Sequence, residues 1–413
     1  MEQPINIGRR QFALAASAGL AGAALPGLTL AQPSAPFKIG SLNSITGTGG
    51  TYGPGMLEAI KLAVAEVNAA GGAAGRQLQL YAEDDQTRPD AAVLAAKKLV
   101  EITKVEAVIG IWSSSVALAT LPITNAAGVI SLNTCGSPDL LTEDKRDLAW
   151  QYQASNAVFG NAFAEIARRR GFKRPAVMAF NNSTFVGQAN YFKRAWEQGG
   201  GKVEAFVIYE PNQTSYRTEL GRALAPKPDI ISLSAYTPDA TIILKEWYQS
   251  GQDCTFIMPG WSANQELVKA LGPQVTEGII AVSNVAATTQ PAYKRFDAAF
   301  RKATGKDPEI FAAQAYDMVI SLALAIEAAG PTADTMAINA KIRTVTNAPG
   351  TKVASFVEGR DLLRKKAKID YDGASSALEF GTYGETVPDF GVYEIRKGQL
   401  VAKEVIPGRT SAT

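Results

Sequence analysis

Short apolar β runs and amphipathic helical runs take turns along this chain, and the whole alternation occurs twice. No other feature constrains the fold as strongly. The first β runs are residues 37–42, 77–82, 107–111 and 129–132. Between them Leu57, Ile60, Val64 and Val67 share one face of a 3.6-residue period, and residues 90–103 and 116–127 are spaced the same way. A β-α-β-α order with short connections predicts a parallel sheet covered by helices on both faces. The pattern then restarts. A crossing strand at 150–153 and a helix at 157–170 lead into β runs at 176–180, 203–209, 230–233, 255–258 and 279–282. Helices are expected near 187–198, from 215, and at 239–250. Long helices at 292–304, 311–329 and 335–346 follow, then a charged, irregular stretch at 356–372. Two last β runs, 391–395 and 400–405, flank Arg396-Lys397-Gly398-Gln399, which reads as a hairpin turn. At 413 residues the chain has room for two such units and a helical return. The expected architecture is α/β, with two similar lobes, each a parallel-sheet sandwich, and more than one crossing between them. Ligands of open α/β sheets bind beyond the carboxyl ends of the strands, so a cleft between facing lobes is the natural site.

What the sequence lacks bounds its chemistry. It has no histidine, which removes Ser-His-Asp and Cys-His catalysis and every histidine-containing zinc site. Its two cysteines cannot make a four-thiolate zinc site. Lys plus Arg total 41 against 39 Asp plus Glu, a net charge of +2, which gives no basic face for nucleic acid. Gly47-Thr48-Gly49-Gly50-Thr51-Tyr52-Gly53-Pro54-Gly55 lies between a strand and a helix, where a dinucleotide fingerprint would lie. The spacing fails, because G-x-G-x-x-G from Gly47 needs glycine where Tyr52 stands, and no P-loop lysine follows. The segment reads instead as a turn presenting Tyr52 to the cleft. No cofactor, no metal and no enzymatic activity are expected.

At the amino end, Gly8-Arg9-Arg10-Gln11-Phe12 precedes an apolar run over 13–30 and then Ala31-Gln32-Pro33. A charged start, an apolar core and small residues before a cut make a secretory signal over residues 1–31, and the arginine pair followed by Phe12 resembles a twin-arginine signal. The expected location is periplasmic. Cys135 and Cys254 would then meet an oxidising compartment. Their positions in different lobes favour two separate thiols over a disulfide.

Several segments could carry binding. Trp112-Ser113-Ser114-Ser115 follows the strand at 107–111 and opens a helix, where free N–H groups, the positive dipole end and hydroxyls suit a carboxylate or phosphate. One serine could equally be a simple cap. Asn133-Thr134-Cys135-Gly136-Ser137-Pro138 follows the neighbouring strand, so Thr134 and its backbone amides could share the anion, or the segment could be an ordinary polar loop. Cys135 has no histidine partner to make it a nucleophile. Phe185, Tyr236 and Trp261 each fall just beyond a strand of the second unit, as core residues or as a stacking surface for a ligand. Glu83-Asp84-Asp85 could bind a cation but reads more readily as a solvated charge run, and Arg364-Lys365-Lys366 reads as a solvated surface.

Taken together these features resemble the type I periplasmic binding proteins, specifically the leucine/isoleucine/valine-binding family of ABC-transporter receptors. The matching stretches are "KIGSLNSITGTGGTYGPGMLEAIKLAVAEVNAAGG", "EAVIGIWSSSVALATLPI", "SLNTCGSPDLLT" and "AQAYDMVISLALAIEAAG", in the family's order over nearly the whole chain from Phe37 to about Val405. The resemblance implies two lobes, 36–154 plus 285–386 and 155–284 plus 387–413, joined by three crossings and closing on a small ligand. It implies a non-enzymatic monomer that delivers its ligand to a membrane permease, or a receptor of the same fold that reports to a sensor kinase. It also implies that Ser113, Ser114, Thr134 and Gly136 hold the ligand carboxylate, with Tyr52, Phe185 and Tyr236 beside it. Two departures matter. Members that bind branched-chain amino acids place an acidic residue after the strand matching 255–258, whereas this chain reads Pro259-Gly260-Trp261-Ser262. Phe185 also stands where a tyrosine is common. A buried ammonium without a counter-charge is costly. An aromatic or aliphatic acid therefore competes with an amino acid as the ligand, and is expected to bind more tightly than leucine or valine.

Overall fold

β1 (Phe37–Asn43) carries a nearly unbroken buried run, as a strand covered on both faces requires. The structure, a computed structural model, describes residues 35–284, 290–386 and 388–406. From β1 the chain runs through α1 (Gly53–Ala69), β2 (Leu78–Asp84), α2 (Pro89–Lys97), β3 (Ala107–Ile111), α3 (Ser114–Ala127), β4 (Ile130–Asn133), α4 (Pro138–Glu143) and β5 (Ala149–Gln151). These strands form a five-stranded parallel sheet in the order β2-β1-β3-β4-β5.

A second sheet follows through α5 (Asn156–Arg169), β6 (Pro175–Phe180), α6 (Ser183–Gln198), β7 (Ala205–Tyr209), α7 (Arg217–Leu224) and β8 (Ile230–Ser234). It continues with α8 (Thr237–Ser250), β9 (Thr255–Pro259), α9 (Gln265–Leu271), α10 (Pro273–Thr276) and β10 (Ile280–Asn284). Its parallel part is ordered β10-β9-β8-β6-β7. Both sheets wind alike: the chain steps once to one side of its first strand, then returns to the other. Each therefore has a switch point, between β1 and β3 and between β6 and β8, where ligands of such sheets bind.

The return comprises α11 (Pro291–Thr304), α12 (Ile310–Ala329), α13 (Thr335–Asn339), α14 (Ile342–Thr346), β11 (Thr351–Val353), α15 (Phe356–Arg364) and β12 (Ile369–Tyr371), then β13 (Phe390–Arg396) and β14 (Gln399–Ile406). Among the described residues Phe311–Ala329 is long and apolar enough to cross a membrane, but 89% of it is buried inside the protein, packed on α1. It is a core helix, apolar all round because it is covered all round.

The second sheet is parallel except at its end, where β13 runs antiparallel to β10 and the hairpin expected at 396–399 sets β14 antiparallel to β13. Lys397 and Gly398 both have positive φ, the geometry of a two-residue hairpin turn, and a hairpin can only be antiparallel. Three other expectations need correction. The helix expected over 335–346 is two short ones. Asn339 ends the first, its Oδ1 accepting from Trp150 Nε1 at 2.8 Å and its Nδ2 donating to the Asp147 carbonyl at 2.6 Å. The stretch 356–372 is not irregular but holds α15 and β12. Ser355 caps α15 by accepting from Glu358 N at 3.3 Å, while Glu358 reaches back to Ala354 N at 2.9 Å. Nor is the Glu83-Asp84-Asp85 run simply solvated. Asp84 accepts from the amides of Ile45 and Thr46, and fully buried Asp85 accepts from Ser44 Oγ at 2.7 Å, so the pair fastens the loop that follows β1.

Residues 152–155 carry the chain from the first sheet to α5. The crossings expected at 284/285 and 386/387 touch residues 285–289 and 387, and the signal expected over 1–31 also lies outside the described residues.

Candidate functional site

The loops after β3 and β4 are brought side by side by a slip in their pairing. The register shifts at Gly110, whose φ of +83° is open to glycine and costly for other residues. A Cβ there would lie 2.6 Å from Asn43 Nδ2, which donates to the Gly110 carbonyl at 3.1 Å. Beyond the slip Thr134 N donates to the Ile111 carbonyl at 2.8 Å. Ser113 then stands at the N-cap of α3 with no side-chain cap bond, its hydroxyl 3.1 Å from that of Ser115. Ser114 Oγ accepts from Gly136 N at 3.3 Å. The Thr134 hydroxyl is buried with no hydrogen-bond partner.

The second sheet faces this polar wall with rings. Asn182 caps α6 by accepting from Phe185 N at 2.8 Å and donates to the Tyr236 hydroxyl at 3.3 Å, so one side chain orients both aromatics. Their ring centres are 4.7 Å apart. Trp261 follows β9, and its carbonyl accepts from Asn264 Nδ2 at 2.7 Å and from Thr237 Oγ1 at 3.3 Å. Across the gap Trp112 packs on Tyr236 with centroids 5.0 Å apart, and Phe311 meets both Trp112 and Trp261. Between the walls lies a narrow cavity of about 20 Å³ lined by Trp112, Ser114, Thr134, Gly136, Gln153, Thr184, Phe185, Tyr236, Trp261 and Phe311.

Six of the eight residues singled out in the sequence line that cavity: Ser114, Thr134, Gly136, Phe185, Tyr236 and Trp261. Ser113 and Tyr52 do not. Ser113 is buried as the cap of α3. Tyr52 stacks behind Trp112 and donates its hydroxyl to the Trp261 carbonyl, with Thr237 Oγ1 at 3.5 Å, tying the start of α1 to the second-sheet wall. Sequence reasoning missed Trp112, Gln153, Thr184 and Phe311 as lining residues. Trp112 and Thr184 were within reach, each adjoining a chosen residue. Phe311 had no local signal, because it arrives from the return helix.

None of the lining residues carries a charge. Burial, above all, raises the phenols of Tyr52 and Tyr236 beyond their ordinary range, so both are neutral hydrogen-bonding groups. Asp239, on the first turn of α8, does not reach the cavity, and its carboxylate accepts from the Tyr216 hydroxyl and Asn212 N. Positive potential comes instead from the helix starts of α3, α6 and α8, which converge there. The lining thus sets hydroxyls and helix starts suited to a small anion at one end against apolar, flat ring faces at the other. Cys135 and Cys254 are free and buried, and burial pushes their thiols up to about 11 and about 12, far from a nucleophile.

Residues 36–362 match the family described as Periplasmic binding protein. The chain is 27% identical over 355 residues to a leucine-, isoleucine-, valine-, threonine- and alanine-binding protein of Pseudomonas aeruginosa, covering 86% of this chain and 92% of that one. A branched-chain amino acid transporter substrate binding protein of Streptococcus pneumoniae, solved in complex with isoleucine, superposes with a TM-score of 0.76 at 21% identity over 90% of this chain and 99% of its own. An ABC-transporter solute binding protein of R. palustris, solved in complex with benzoate, superposes equally well, with a TM-score of 0.76 at 20% identity over 91% and 98%.

Proposed function

The chain belongs to the periplasmic binding protein family, and from that premise we propose that it is the solute-binding protein of an ABC transporter, capturing a small carboxylate and delivering it to a membrane permease. The observation that carries the ligand class is the buried, unpartnered Thr134 hydroxyl beside the uncapped start of α3. A buried donor without a partner is expensive, roughly 1–3 kcal/mol, and a carboxylate would satisfy it with a charge-assisted bond. Ser114, whose hydroxyl is oriented by the Gly136 amide, belongs to the same anchor, and Phe185, Tyr236 and Trp261 stack on the body of the ligand. With no carboxylate among the lining residues, an α-ammonium would lack a counter-charge. The favoured ligand is therefore an aromatic or short aliphatic acid. A branched-chain amino acid is the second reading, favoured by what the P. aeruginosa and S. pneumoniae relatives are named for.

Capture would proceed by hinge closure of two lobes, 36–154 plus 285–386 against 155–284 plus 387–413, a kind of motion for which periplasmic binding proteins are an established example. The Tyr52 hydroxyl on the Trp261 carbonyl would hold the closed form. Export by a twin-arginine signal over residues 1–31 completes the reading, and amino-terminal sequencing of periplasmic protein should begin near Gln32. Retention of Met1 would count against it. The deciding experiment is calorimetric titration of ligand-stripped protein with benzoate, 4-hydroxybenzoate, valerate, leucine and valine. Micromolar binding of an acid without an ammonium is expected. Micromolar leucine binding with no heat from the other acids would restore the amino-acid assignment.

A further inference from the structure

Asn156 opens α5, just after the passage between the sheets, and is fully buried. Both polar atoms of its side chain lack a hydrogen-bond partner. Its surroundings place that carboxamide directly behind Gly136, a residue of the cavity lining. Its backbone N–H donates to the Gly136 carbonyl at 2.6 Å. A Cβ on Gly136 would collide with Asn156 Oδ1, so glycine is needed there to make room for the amide. On its other side Asn156 Nδ2 lies 3.7 Å from where a Cβ of Gly187 would stand. Gly136 lines the cavity, as do Gln153, Thr184 and Phe185, and Asn156, outside that lining itself, packs directly against Gly136. Gln188, next along α6, is likewise fully buried with both amide atoms unpaired. Buried amides are nearly always partnered.

We propose that Asn156 is a ligand-contacting residue that sets the charge class of ligand the cavity accepts. The inference rests on the reading of the Ser114–Thr134–Gly136 wall as a carboxylate anchor. No hydrogen bond fixes either amide atom, so the carboxamide turns to present Nδ2 to the bound carboxylate from the Gly136 side, where Oδ1 stands without ligand. Its neutrality decides the rest: an ammonium on the carbon next to the carboxylate would come to this same wall and find a carboxamide oxygen with no charge. Aspartate has almost the same shape, and at this position it would repel a simple acid and pair with an ammonium.

Two substitutions test this in the ligand-stripped mature protein, against benzoate, 4-hydroxybenzoate, valerate and leucine, with thermal melting recorded for each variant. Asn156→Leu keeps the volume and removes an unpaired amide, so the ligand-free protein should melt no lower than wild type while its affinity for the best acid falls about tenfold or more. Asn156→Asp should weaken that acid by at least tenfold and shift the leucine-to-acid affinity ratio at least tenfold toward leucine. If Asn156→Leu fails to fold, the aspartate variant decides alone. Affinities within twofold of wild type in the folded variants, while Ser114→Ala with Thr134→Ala abolishes binding, would overturn the role of Asn156 and leave the carboxylate anchor standing. Wild-type protein that binds none of the four would overturn both.

Discussion

The two walls of the cavity are made by one topological device and filled with opposite chemistry. In each sheet the chain leaves the carboxyl end of a strand beside the switch point and enters a helix. The first sheet puts Ser114, Thr134 and Gly136 at that place, and the second puts Phe185, Tyr236 and Trp261 there. The winding fixes where a ligand sits, and the side chains at the strand ends fix what it is. Small residues on one wall expose helix N–H groups and hydroxyls to an anion, and rings on the other exclude water and offer faces. A ligand held this way is read from two ends.

The sharpest way to break this contrast is to remove one wall at a time. Ser114→Ala combined with Thr134→Ala takes away two hydrogen bonds to a charged group, each worth roughly 1.5–3 kcal/mol, so affinity should fall about a hundredfold or more. The loss should be similar for every carboxylate that binds, because this wall reads only the end they share. Trp261→Ala should instead change the ranking among acids, costing aromatic bodies about tenfold more than short aliphatic ones. Calorimetry across the same acids checks both, and equal losses for all acids in Trp261→Ala would erase the division of labour.

Much of the fold was readable because it depends on periodicity, and the strands from 37–42 to 279–282 needed no information beyond their own residues. The misread elements were settled by partners distant in sequence. Asn339 ends α13 to reach Trp150 and Asp147, more than 180 residues away. The cap of α15 is a different case, since Ser355 and Glu358 spell a capping box that was there to be read. At the site, residues adjoining strand ends were legible through the rule for open sheets. Phe311 was not, because it reaches the cavity from a helix whose position depends on how the two sheets meet.

The seam between the walls offers a smaller effect. Tyr52 spans it, donating to the Trp261 carbonyl. Tyr52→Phe keeps the ring packed on Trp112 and Phe311 and deletes this one neutral hydrogen bond, worth about 0.5–1.5 kcal/mol. If the bond forms only on closure, affinity should fall three- to tenfold for all ligands alike, with the ranking untouched. A change in ranking would mean that Tyr52 touches the ligand and belongs to the aromatic wall.

The smallest expected effect lies on the outer side of that seam, at Glu309. It stands at the N-cap position of α12, two residues before Phe311, without a side-chain cap bond, and its Oε2 is buried without a partner. Burial and then the charge of Glu266 on α9 push its carboxyl up to about 7, against the opposing pull of Lys306. The groups around it include Glu58 and Asp307 on one side and Tyr293 and Tyr393 on the other. Because the folded-state value lies above the ordinary glutamate value of about 4.3, the folded protein holds a proton that the unfolded chain releases. That contribution is full below about 4.3 and is lost as the pH rises through about 7. The side chain is only partly buried, so solvent screening leaves roughly 1 kcal/mol or less. Glu309→Gln should therefore melt with wild type at pH 4, where both side chains are neutral, and about 1–2 °C higher at pH 8. Glu266 follows the second-sheet wall and Glu309 precedes the return helix, so in the hinge closure proposed above their repulsion would oppose closing. The same substitution should tighten ligand binding about twofold at pH 8 and leave it unchanged at pH 4. Differential scanning fluorimetry and calorimetry at the two pH values check this. An equal difference at both would show that Glu309 acts by packing and that the seam between the walls carries no proton linkage.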